Sequence, residues 1–128
     1  MAMKRRNLIL LAVATHLLLT TIHGLIHLAI PIFLSGWIIA FSIGSLYILP
    51  LIGAGLVVTN YPRIGGTVLI TAGIITLVFE GIFHFLLPNP DHIAHVSDHR
   101  VWFGTTGTLT TLGNLLLVGA GWFSARDT

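Results

Sequence analysis

The chain has 128 residues, 55% hydrophobic and 8% charged, with a formal net charge of +2 and a mean hydropathy of +0.95. Soluble domains carry about 25% charged residues, so this chain has too few charges to cover a globular surface, and its outer surface must be lipid. Six basic residues give no ground for a nucleic-acid partner, and zero Cys excludes disulfides, thiolate metal sites and thiol redox chemistry.

The first predicted element follows MAMKRRN and runs from Leu8 to about Ile30. It is too long for a signal-peptide core, and no small-residue cleavage site follows it. It reads as an uncleaved membrane helix. Crossing the hydrocarbon takes about 20 apolar residues, and three further segments qualify: about 36–58, 64–87 and 101–123. The expected fold is all-α: one transmembrane domain over 1–128, built as a four-helix bundle. The breaks run from Pro31 to Gly36, through TNYPR at 59–63, and through PNPDHIAHVSDHR at 88–100. Lys4, Arg5, Arg6, Arg63 and Arg126 then mark the cytoplasmic side, with both termini, of a multi-pass protein in the cell membrane. Trp37 and Trp102 fit the outer interface, and Tyr61 and Trp122 the inner one. Pro50 predicts a kink in the second helix, its freed carbonyl satisfied inside the bundle.

The first and third helices end on related nonapeptides, HGLIHLAIP at 23–31 and EGIFHFLLP at 80–88. Gly, His and Pro recur, so the chain reads as an internal repeat, two tandem helical hairpins with pseudo-two-fold symmetry. At about 100° per residue, His16, His23 and His27 share one stripe of the first helix. Gly73, Thr76, Glu80 and His84 share one of the third. Ionisable groups inside a membrane face the bundle interior and mark function, so the two stripes are expected to face each other. Six of the seven His and three of the four acidic residues gather at the outer end.

Residues four apart present side chains from one helix face. His23 with His27, and Glu80 with His84, would surround one centre with three imidazoles and a carboxylate, a donor set suited to Zn, Cu, Fe or Mn. Haem b is the alternative cofactor, with His27 and His84 as axial ligands. Gly24 and Gly81, three residues before each His, would then let the macrocycle approach the backbone. For His16 the expected role is a packing hydrogen bond, and Asn114 in the fourth helix reads the same way. In the loop, Asp91, His92, His95 and His99 stand as supporting groups, with Asp91 a candidate N-cap for a short helix carrying the three His on one face.

No HExxH, nucleophile, phosphate-loop or dinucleotide signature is present, so no catalytic residue is assigned. The expected function is a small membrane metalloprotein, in redox chemistry or metal handling. The alternatives are a b-type haem protein in electron transfer and a non-enzymatic accessory or assembly subunit. Lipid, further copies of the chain or a larger membrane complex are the expected partners.

Overall fold

The computed structural model describes residues 3–30, 32–97 and 99–126. Pro31, which closes the first nonapeptide, and Asp98 of the loop lie outside them. The described chain is helical, with α1 over Met3–Ala29, α2 over Gly36–Val58 and α3 over Pro62–Leu86, and α4 over Arg100–Arg126. Pro62 opens α3, where a missing N–H costs nothing.

The helices α1, α2 and α3 are long and apolar enough to cross a membrane. Large apolar side chains cover the outside, with Leu28 84% and Phe33 90% exposed. The sequence predicts a fourth crossing in α4, but that helix is not among the three. Its 27 residues reach about 40 Å, which is ample; what it lacks is hydropathy. The reason is its place in the packing. Thr106, Gly107, Thr110, Gly113, Asn114 and Gly121 are all buried, because α4 packs between α1 and α3, and α3 packs in turn on α2.

Close approach of backbones sets that packing. A Cβ on Gly66 of α3 would lie 2.6 Å from the Gly121 carbonyl oxygen, and one on Gly121 of α4 would lie 2.5 Å from that of Gly66. Only glycine at both positions permits the crossing, and small residues at helix contacts serve the same end in membrane proteins generally. Beside it an apolar core gathers Ile9, Val13, Val57, Leu69 and Leu117. Near the termini the Arg5 guanidinium donates to the Phe123 carbonyl.

The helix α2 contains a π turn at Gly44–Ile48 just before Pro50. Proline has no N–H to give the carbonyl four residues back and crowds it sterically; here that carbonyl belongs to Leu46. The His16 Nε2–H donates to the Leu46 oxygen at 2.9 Å, and the His16 side chain is fully buried. The expected packing role of His16 and the expected partner for the carbonyl freed by Pro50 are therefore one interaction. Within a bilayer, which α2 is apolar enough to cross, an unpaired backbone group costs several kcal/mol.

The pair gives a double-mutant prediction. His16→Leu should destabilise the protein by about 1–3 kcal/mol through a stranded buried acceptor. Pro50→Ala restores a backbone donor, so the His16→Leu penalty should fall to below about half in that background. Thermal unfolding of the four variants in detergent measures the coupling.

Candidate metal centre

At the end of the molecule remote from the termini, α1 supplies His23 and His27, α3 supplies His84, and the loop after α3 supplies Asp91. The His23 Nε2 lies 3.3 Å from the His84 Nε2 and 3.3 Å from the His27 Nε2. One ligand atom from each of the three rings lies within 4.8 Å of the others. The Asp91 carboxylate straddles two rings, with Oδ1 at 3.4 Å from His27 Nε2 and Oδ2 at 3.4 Å from His84 Nε2. His23, His84 and Asp91 are buried, and His27 is half-buried.

The remote ring nitrogens decide which tautomers face the centre. The Thr106 hydroxyl donates to the Trp102 carbonyl at 2.7 Å, so its oxygen accepts from His23 Nδ1–H at 2.8 Å. The His84 Nδ1–H donates to the Glu80 backbone carbonyl at 3.1 Å. With both protons held at Nδ1, each neutral ring turns its Nε2 lone pair inward. The His23 to His84 contact is then lone pair against lone pair, a repulsion that a shared metal ion or a shared proton relieves. Two nitrogens bound to a tetrahedral ion at about 2.05 Å would lie about 3.3 Å apart, which fits the two pairs that include His23; the His27 to His84 pair is the wider one, within 4.8 Å.

Packing holds the rings in place. Phe103 of α4 meets all three, with ring centroids 5.1 Å from His23, 5.2 Å from His27 and 5.4 Å from His84. A Cβ on Gly107 would sit 3.4 Å from His23 Cε1, so glycine there makes room for the imidazole. Sequence reasoning missed Phe103, Thr106 and Gly107. Their signal is their spacing three and four residues along one face of α4, visible only once that face is known to meet His23.

Glu80 is placed differently from the expectation of an ExxxH clamp. Its Oε2 accepts from Asn114 Nδ2 at 2.8 Å, and it is absent from the convergent group of ligand atoms. The physical reason is backbone geometry. A π turn occupies Ile82–Leu86, with the Leu87 N–H reaching the Ile82 carbonyl five residues back at 2.9 Å. The angular step between Glu80 and His84 is no longer that of an α-helix. The first nonapeptide stays α-helical as far as Ala29, so the two repeats are not equivalent here.

The loop forms turns in place of the expected short helix. Asn89, not Asp91, organises it: Asn89 Nδ2 donates to the Phe83 carbonyl at 2.7 Å, and Asn89 Oδ1 accepts from the Asp91 N–H at 2.8 Å. Such side-chain mimicry of a turn is typical of Asn. It swings Asp91 over the histidines. His92 Nε2 donates to the Phe85 carbonyl at 3.1 Å, and His95 Nδ1 to the Asn89 carbonyl at 2.8 Å. Those rings fasten the loop. His99 is exposed, with a left-handed φ of 57°. Gly24 and Gly81 have open surroundings: the nearest neighbour of a Cβ would be Tyr47 Oη at 3.8 Å for Gly24, and nothing lies within 4 Å for Gly81.

No family model matches the chain. Searches of curated proteins and of solved structures also return no match.

The Glu80 and Asn114 pair carries its own prediction. Asn114→Leu leaves a buried carboxyl group without its donor and should lower stability by about 2–4 kcal/mol. Adding Glu80→Leu should recover at least half of that loss, measured by thermal unfolding in detergent.

Proposed function

We propose that the protein is a small integral membrane metalloprotein, a four-helix bundle whose fourth, most enclosed helix also crosses the bilayer. The reading assigns the ion to Nε2 of His23, His27 and His84, with the Asp91 carboxylate as the oxygen donor in place of Glu80. The observation that carries it is the meeting of the His23 and His84 Nε2 atoms at 3.3 Å, with the opposite ring nitrogens bonded to Thr106 and to the Glu80 carbonyl. Three imidazoles and a carboxylate suit Zn, Cu or Fe. Hydrogen bonds that orient metal-bound His are a recurrent feature of such centres, and Thr106 and the Glu80 carbonyl supply them here. The basic residues at the terminal end put both termini in the cytoplasm and the metal near the outer face. The metal serves redox chemistry, metal handling or the assembly of a larger membrane complex.

Haem is less well served by this arrangement. His23 Nε2 lies 3.3 Å from both His27 Nε2 and His84 Nε2, in the space an equatorial macrocycle between those two rings would need. The stronger rival is a structural accessory subunit. In that reading a proton on His84 Nε2 is shared with His23 and Asp91, and the cluster only fastens α1 to α3 and the loop.

Elemental analysis of protein purified without chelators should find about one equivalent of a transition metal, lost in His23→Ala and in His84→Ala. Thr106→Val removes no ligand, yet it should weaken metal affinity by about 10–100-fold. Saturating metal at 100 times Kd should stabilise the wild type by about 2.7 kcal/mol. Protein that holds no metal, and melts at one temperature with and without added ions, would establish the structural rival instead.

A further inference from the structure

We infer that the histidine centre is reached from within the bilayer, through a cavity between α1 and α2 that takes the oxygen-bearing head of a single-chain amphiphile. This rests on the metal reading for what the head binds, but the cavity stands on its own geometry. It has a volume of about 300 Å³, and His23 and His27 form part of its wall. That is the small end of the range for ligand pockets, enough for a head group and the start of a chain.

Access to the centre is asymmetric. On the loop side it is plugged: Ile30, Val96 and Phe103 form a buried apolar cluster, with Ile93 packed against it. Asp91 is held over the rings by the turn that Asn89 organises. On the α2 side, the cavity rim includes Leu28, Ile39 and Ile43, all exposed on the apolar surface of the molecule. A solute arriving there comes out of hydrocarbon, so it must carry a chain of its own.

The inner lining is polar enough to hold a head group. Thr20, Tyr47 and Glu80 line the cavity. The Thr20 side chain is buried, with 3% exposure, and its hydroxyl has no hydrogen-bond partner. Hydroxyls and a carboxyl group together match a head that both donates and accepts hydrogen bonds. Glu80 thereby gains a role that metal ligation does not give it, as a positioning residue for the bound head. Gly24 also lines this cavity. A Cβ there would meet only Tyr47 Oη at 3.8 Å, so a side chain at this position starts without a backbone clash and takes up cavity space.

The test uses the full chain loaded with Co²⁺, whose visible absorption reports ligands reaching the metal. Octanohydroxamate and acetohydroxamate are titrated in the same lipid nanodiscs, with affinities corrected for measured partitioning. Octanohydroxamate should bind at least tenfold more tightly. Gly24→Leu should weaken it at least tenfold while cobalt content stays unchanged. Equal affinities for the two hydroxamates, or a Gly24→Leu protein that binds octanohydroxamate like the wild type, would overturn the inference. If the protein retains no cobalt, the metal reading fails, and the cavity is decided by photolabelling with a diazirine-bearing long-chain alcohol. Labelling of α1 and α2 that Gly24→Leu abolishes supports the cavity; labelling that is absent, or unchanged in that variant, overturns it.

Discussion

The arrangement at the histidine end depends on two hydrogen bonds that lie away from it. Thr106 and the Glu80 carbonyl each hold a proton on the far side of an imidazole, at 2.8 Å and 3.1 Å. That leaves the near sides of His23 and His84 as acceptors facing one another. In water such a contact would relax by ring rotation. Here Phe103 packs on both rings, and Gly107 lets the His23 ring lie close against α4. Rotation would break a buried hydrogen bond, a loss of about 1–3 kcal/mol. Packing keeps the two nitrogens opposed, an arrangement that suits a shared metal ion or a shared proton.

The same economy governs the backbone irregularities. Inside a bilayer no solvent satisfies a stray carbonyl, so in helices apolar enough to span one each break in helical bonding must find an internal partner. In α2 the break falls around Pro50, and His16 serves the Leu46 carbonyl. In α3 the break is the π turn at Ile82–Leu86. There the His84 ring serves the Glu80 carbonyl, and Ile93 of the loop donates to the carbonyl of His84 at 2.9 Å. One histidine is thus spent on a structural defect and another does double duty. Pi turns occur often at functional sites, and this one lets the loop dock where Asp91 meets the centre.

The helices were legible in the sequence because hydrophobic length and the Pro, Gly and Asn breaks between segments encode them directly. The meeting of His23, His27 and His84 was legible too, since costly imidazoles in apolar helices turn inward, and residues of equal depth meet. Glu80 was harder to place. The angular argument assumes 100° per residue, and a π turn is invisible in composition. Its carboxyl group finds Asn114, read from sequence as an ordinary packing amide. From sequence Asp91 reads as a supporting group and, because Asp often caps helices, as a candidate cap, whereas here the turn belongs to Asn89. Phe103 could not be found from its neighbours, because an aromatic residue on an apolar helix carries no mark of what it touches.

The divergence between the two nonapeptides gives the centre its direction. Strict symmetry would set Glu80 opposite His23 and Gly81 opposite Gly24, with equal access from two sides. In the folded chain His23 turns to the convergent nitrogens, while Glu80 turns to Asn114 and to the cavity beside α2. The first repeat continues into a short turn to α2 that leaves the rim open. The second continues into a long loop that folds back as a lid. A pair of related segments therefore yields unlike surroundings on the two sides of one donor cluster, apolar and open toward α2, sealed and carboxylate-bearing toward the loop. Such polarity is what a centre needs if it is to hold an ion from one direction and meet a second molecule from the other.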